Sequence, residues 1–199
     1  MKTQQLIINK AIELFNAKGV KNVTLREIAT EIDKSYGNVT YHFSTKEKLL
    51  ETLFEDYNTS LIKLQNNGLS FQNMLHYFLI APELNFDVMI KYLFFFVDYT
   101  EIKRAYPKLM DQVELYNMER MQKWKGLLME LQEKKFLKSE LSESDLEFIM
   151  ELSIGLRMYY FRETSINCLD KTKFSFKVNQ LLLPYLSKKG RVFYNSFYS

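Results

Sequence analysis

Between Ser35 and Lys48 the chain reads SYGNVTYHFSTKEK, and these side chains suit a nucleic-acid surface better than a catalytic one. Ser35 is placed to cap a short helix from Tyr36 to about His42. Val39 and Phe43, four apart, take its inward positions. Tyr36, Gly37, Asn38, Thr40 and Tyr41 are then left outward or sideways, a face that is polar, small and aromatic but almost uncharged. Asn and Thr both donate and accept hydrogen bonds, and Gly permits close approach, so such a face fits the edges of base pairs. The run Ser44-Thr45-Lys46-Glu47 reads as a capping box for the next helix. It places Lys46 and Lys48 in the first turn, where the macrodipole is positive and a cation costs a few tenths of a kcal/mol. That placement makes sense if a phosphate docks on the helix N-terminus, with Lys46 completing the anion site.

The preceding residues supply the elements that must hold this face. Thr3 is positioned to cap a first helix in which Ile8, Ala11, Ile12 and Phe15 recur at i, i+3, i+4, i+7. Gly19 follows as a left-handed C′ residue. Thr24-Leu25-Arg26-Glu27 is a further capping box, opening a helix of about two turns with Leu25, Ile28, Ala29 and Ile32 inward. Asp33-Lys34 forms the turn. A short helix, a tight turn and a second short helix with an exposed polar face make a helix-turn-helix.

At this point the residues become recognisable as a set. Ala11, Phe15, Gly19, Thr24, Ile28-Ala29, Ser35-x-Gly37, Tyr41-His42-Phe43 and Lys46-x-x-Leu49 lie in one register. Over about residues 5–55 the chain resembles the DNA-binding segment of the TetR family of bacterial transcriptional regulators. The resemblance implies an all-α protein. A three-helix DNA-binding domain over residues 1–48 would precede a helical effector-binding and dimerisation domain over 49–199. It implies a cytoplasmic homodimer on double-stranded DNA, a repressor rather than an activator. Tyr36, Gly37, Asn38 and Thr40 are then the candidate base readers, and Thr24, Tyr41, His42 and Lys46 the candidate phosphate contacts. The chain departs from the family at Thr40, where a Tyr against a phosphate is usual; here the Tyr follows at 41.

Charge and composition agree with that division. The chain has 199 residues, and its net charge of +3 is matched by residues 1–48 alone, where eight Lys/Arg face five Asp/Glu. Six Gly and three Pro are too few for an all-β fold, which turns every 8–12 residues or so. One cysteine, Cys168, cannot form an internal disulfide or a Cys-rich zinc site. The longest apolar run, Tyr92 to Val97, is far short of a membrane span, and the N-terminus has no signal-peptide pattern. No glycine-rich phosphate loop, nucleophile elbow or His-Glu-x-x-His occurs, so neither an enzyme nor a metal or other cofactor is expected.

The rest of the chain reads as helices rich in aromatic residues and Met. A long helix is expected from Thr45 to about Leu64, ended by Asn66-Asn67-Gly68. A second is expected around Phe71–Ile80, stopping at Pro82, and a third from about Leu84 to Arg104. Pro107 opens the next, to about Lys135; Ser142 or Ser144 caps one near 144–163; and the last runs from about Lys173 to Lys188. Phe95, Asp98, Tyr99, Met121, Trp124 and Met158, with Phe94 and Phe96 beside them, are the candidate lining of a pocket for a small, mainly apolar effector. Asp98 and Arg157 stand in apolar segments and need partners. The stripe Phe174, Val178, Leu181, Leu182, Tyr185 is the candidate dimer seam, together with the 144–163 helix. Ordinary core packing is the competing reading for these aromatics. For the whole chain the competing reading is a DNA-binding module controlled by a partner protein. The tail, with Phe193, Tyr194, Phe197 and Tyr198, suits packing on the chain itself or on a partner subunit.

Overall fold

A computed structural model describes residues 3–66 and 72–199, and among them every regular element is a helix. The order is α1 (Thr3–Lys18), α2 (Leu25–Glu31), α3 (Tyr36–His42), α4 (Lys46–Asn66), α5 (Met74–Lys91), α6 (Phe94–Val97) and α7 (Tyr99–Ala105). There follow α8 (Pro107–Glu133), α9 (Glu143–Glu163), α10 (Lys171–Gln180) and α11 (Lys188–Phe197). The all-α expectation holds.

The chain forms two compact units, and the boundaries fall inside helices. One comprises the residues up to Gln65 together with Asp87–Leu115; the other comprises Asn66–Phe86 and Tyr116–Ser199. The three N-terminal helices therefore share a unit with α4, α6 and α7.

In that unit the core is built from the positions the periodicity marks. Ile8, Ala11, Ile12 and Phe15 are buried, as are Leu25, Ile28, Ala29, Val39 and Phe43. Gly19 has φ +80°, the left-handed conformation that ends α1. Thr24 caps α2, its Oγ1 accepting from Glu27 N at 3.1 Å. The Glu27 carboxylate pairs with Lys18 at 2.6 Å and is also stabilised by the Thr24 backbone amide. Ser35 caps α3 by accepting from Asn38 N at 3.2 Å. For α4 the cap is Thr45, which accepts from Lys48 N, one residue later than the Ser44 expected. Aromatic residues close the unit's interior: Phe95 packs against Phe54, Tyr57, Tyr92 and Phe94.

Beyond α4 the helix boundaries depart from expectation in several places. α5 continues through Pro82 rather than stopping there. Leu75, Phe78, Leu79, Ala81 and Phe86 are buried on both sides of it, and that burial outweighs the roughly 3 kcal/mol a mid-helix proline costs. The start expected at Phe71 lies outside the described residues, as do Asn67 and Gly68. The helix expected from Leu84 to Arg104 is instead the end of α5, then α6 and α7. Pro107 does open α8, and Ser142 caps α9 with a complete box to Asp145. Near the C-terminus the single helix expected over 173–188 is divided. α10 ends at Gln180, and a 3-10 turn over Leu183–Tyr185 contains Pro184, which lacks the N–H that a continuous helix needs. The aromatic tail forms α11 and packs on its own unit. Phe193 and Phe197 meet His76, and Tyr194 is buried.

Candidate nucleic-acid interface

Val39 is fully buried and Phe43 nearly so, which fixes the roll of α3 and turns the rest of it outward. Asn38 is exposed, and its side-chain amide makes no hydrogen bond among the described residues. Its donors and acceptor are open. Gly37 is exposed too, and a Cβ built there would meet nothing nearer than Ser35 Oγ at 3.9 Å. The fold does not require a glycine at that position. Thr40 is half-buried, its hydroxyl placed to donate to the carbonyls of Tyr36 at 3.1 Å and Gly37 at 3.2 Å. Its oxygen can still accept from a partner, but its proton is engaged.

The rim of this face carries rings and cations. Tyr36 is 44% exposed, with the Arg26 guanidinium over its ring at 4.7 Å from the centroid. Arg26 has no signal in the sequence beyond an exposed register in α2, because the stack joins residues of different helices. Tyr41 is 86% exposed and meets the exposed His42 ring edge-on, which suits a reach toward a phosphate. Thr24 is exposed beside its capping bond.

Lys46 is placed differently from the others. Its ammonium donates to the Val20 and Val23 carbonyls in the segment joining α1 to α2. Burial pushes its pKa down from the ordinary lysine range, partly opposed by the carboxylates of Glu101 and Asp98. Two of its three protons are thus held within the chain. Neighbouring Lys48 pairs with Glu51 at 2.6 Å.

The six candidate pocket residues are divided between the units. Phe95, Asp98 and Tyr99 belong to the first, and Met121, Trp124 and Met158 to the second. Phe95 belongs to the aromatic cluster already described, and Trp124 packs on Tyr77 and Phe78. Asp98 has a partner within the chain, since its Oδ2 accepts from Val20 N at 2.7 Å. Arg157 donates to Ser153 Oγ at 3.2 Å and lies over the Phe174 ring.

Of the candidate seam, Phe174, Val178 and Leu182 are buried in the core of their own unit, and Phe174 packs on Phe86, Tyr160 and Phe161. Those three side chains are therefore not available to a second subunit; only Leu181 and Tyr185 are half-exposed. Residues 173–188 are not one helix with one face. On α9, the other helix expected at the seam, Phe148, Leu152, Gly155 and Tyr159 form an exposed stripe at i, i+4, i+7, i+11.

Among the described residues no group of three or more His, Cys, Asp or Glu is placed to hold a metal ion. None of the described helices is long and apolar enough to cross a membrane.

A short capped helix, a four-residue connection over 32–35 and a second helix with an open polar face make a helix-turn-helix. Residues 7–53 match the model of the bacterial regulatory proteins of the tetR family. This segment matches that family's model, and the chain around it has the fold of solved TetR-family regulators. A TetR-family transcriptional regulator from Marinobacter aquaeolei VT8 superposes with a TM-score of 0.78 at 22% identity, over 96% of this chain and 94% of that one. The fatty acid degradation regulator FadR from Bacillus halodurans does so with 0.73 at 19% identity, over 92% and 96%. By sequence the chain is 35% identical over 69 residues to the probable HTH-type transcriptional regulator YttP of Bacillus subtilis, covering 33% of each chain. It is 30% identical over 95 residues to IcaR, the negative transcriptional regulator of the icaADBC biofilm operon of Staphylococcus aureus, covering 46% of this chain and 50% of that one. These alignments span a third to a half of the curated relatives' length.

Proposed function

We propose that the protein is a homodimeric, sequence-specific DNA-binding repressor of transcription, acting in the cytoplasm, whose hold on DNA is relieved by a small, mainly apolar effector. The observation that carries this reading is the outer face of α3. Asn38 with its amide open, Gly37 with no neighbour that demands it, and Tyr36 under Arg26 stand on a helix whose roll is fixed by Val39 and Phe43. In this reading Tyr36, Gly37, Asn38 and Thr40 meet base edges. Thr24, Tyr41, His42 and the remaining proton of Lys46 meet phosphates, positioning the face without carrying sequence information.

Negative regulation by IcaR supports the repressor sense. Residues 1–48 carry the DNA contacts, while residues 49–199 carry the effector site and the dimer seam. The α9 stripe of Phe148, Leu152, Gly155 and Tyr159 supplies the seam's apolar surface. An effector acts by preferring the DNA-free arrangement of the two heads, and a hundredfold preference weakens DNA binding by about 2.7 kcal/mol.

Selection of bound sequences from random duplex DNA tests the reading. A two-fold symmetric consensus with half-sites about one helical turn apart or somewhat more is expected. Failure to enrich any sequence would overturn it.

A further inference from the structure

The covalent path from the DNA-binding helices to the rest of the chain is α4. A second attachment lies elsewhere in the same compact unit, between the C-terminal end of α1 and residues 91–98. Asn16 bridges the break between α5 and α6 with both ends of its amide. Its Nδ2 donates to the Lys91 carbonyl at 2.9 Å, and its Oδ1 accepts from Phe94 N at 2.9 Å. Both backbone groups flank a helix break and would otherwise lack a helical partner. One turn further along, Asp98 stands between α6 and α7 without capping α7. Its carboxylate accepts from Val20 N at 2.7 Å, just beyond the left-handed Gly19. A carboxylate on a backbone amide is a charge-assisted bond, stronger than a neutral one. Phe15 and Phe94 meet edge-on at 5.3 Å beside the pair.

We propose that Asn16 and Asp98 are positioning residues for operator recognition: they fix the three N-terminal helices on residues 91–98 and so set which half-site spacing the dimer accepts. This rests on the DNA-binding reading above. A head carried by α4 alone can turn about its single attachment. Two further anchors one helical turn apart remove that freedom. The segment they grip begins where α5 ends, and α1 packs against both α2 and α3, so the recognition helix is carried with the anchors. Spacing is a demanding readout, because one base pair added between half-sites turns one of them by roughly 35° and moves it about 3.4 Å. A rigidly mounted head cannot follow that change; a head on a single attachment can. Both side chains are engaged within the chain and neither lies on α3, so the bases preferred within each half-site should not change.

The test uses the full-length protein and duplexes carrying the half-sites selected by wild type, with the spacer varied one base pair at a time. Wild type should prefer one spacing over its neighbours by about tenfold, the size of one mismatched base pair. The variants are N16A, D98A, the double N16A/D98A and D98N, each checked for fold by circular dichroism and thermal melting. N16A and D98A should each flatten the preference, and the double variant should bring it to about threefold or less, with the half-site consensus unchanged. D98N should keep the wild-type preference, because its amide oxygen still accepts from Val20 N. If the double variant does not fold, the two single variants carry the test. Folded variants as selective for spacing as wild type would overturn the proposal, and so would D98N behaving like D98A. A wild type that enriches no DNA would overturn the DNA-binding reading itself, and this proposal with it.

Discussion

Lys46 reaches back across 26 positions of sequence to hold the carbonyl of Val20, and its ammonium also donates to Val23 O at 2.8 Å. The first residue of α4 is thus tied to the segment between α1 and α2. A lysine in a first helical turn invites a phosphate reading, yet most of this one's hydrogen bonding is internal. Both roles are open to a group with three protons. Lys46→Ala should lower stability by roughly 1.5–3 kcal/mol, the range for hydrogen bonds to a charged group. At temperatures where the variant stays folded, the slope of log K for DNA against log salt should also shrink by about one. Urea midpoints and a salt titration check the two. A stability loss with an unchanged slope would leave Lys46 as a tie within the chain only.

Gly37 separates what the fold needs from what the partner needs. A methyl group there meets only Ser35 Oγ, at ordinary contact distance. Alanine is also the better helix former by up to about 1 kcal/mol. Gly37→Ala should therefore fold as well as wild type or slightly better, while losing affinity for the selected operator because the added carbon stands between α3 and the bases. Thermal melting beside a binding titration checks this, and equal operator affinity would remove Gly37 from the interface.

Asn38 is the reader with an unengaged amide. Asn38→Ala should cost roughly 1–3 kcal/mol on the preferred site and relax preference at one base position per half-site. Thr40→Val should cost less than Asn38→Ala, because the Thr40 proton is already directed at Tyr36 O and Gly37 O. Repeating the selection with each variant checks the order. A consensus identical to wild type for Asn38→Ala would end its role as a reader.

Short-range chemistry was legible in the sequence. The caps by Thr24, Ser35 and Ser142, the left-handed Gly19, the inward Val39 and Phe43 and the start of α8 at Pro107 each depend on residues within one or two turns. What was not legible depends on partners far along the chain. Asp98 read as an isolated charge in an apolar run, and its partner, the Val20 amide, lies 78 residues away. Arg26 gained its place only through a ring on another helix. Pro82 shows the opposite failure, a local breaker overridden by burial on both sides of it.

The two parts of the expected seam, α9 and the stripe around Leu182, can be tested separately. Leu182 is 6% exposed within its own unit. Leu182→Glu should therefore unfold the subunit or cost several kcal/mol, since it places an unpaired charge in a core. Leu152, 36% exposed on α9, should accept Glu with little change in subunit stability, about 0.5 kcal/mol or less. The same substitution should shift the protein from dimer to monomer, because the charge would be dry only in the assembly. Analytical ultracentrifugation with circular dichroism reads both. A folded Leu152→Glu that stays dimeric would place the seam off this stripe.

Alkaline stability should report on the C-terminal helix. The Tyr194 hydroxyl is buried beside that of Tyr198 without a hydrogen bond of regular geometry, and the two rings lie 4.9 Å apart. Burial, with the Tyr198 hydroxyl beside it, pushes the Tyr194 pKa up to about 12 from an ordinary value of 10.0. Burial raises Tyr198 as well. A folded pKa above the unfolded one means that the unfolded chain releases its proton first as pH rises. The contribution of Tyr194 is therefore fully present below about pH 10 and is lost between there and about pH 12. Tyr194→Phe removes the ionisable group while keeping the ring. At neutral pH it should be neutral or mildly stabilising, because a poorly satisfied buried hydroxyl is removed. Above about pH 10 its stability should fall less steeply than that of wild type. Urea midpoints for the two proteins over this range check the difference. Parallel curves would mean that the Tyr194 hydroxyl ionises as readily in the folded chain as in the unfolded one, and that α11 does not keep water from it.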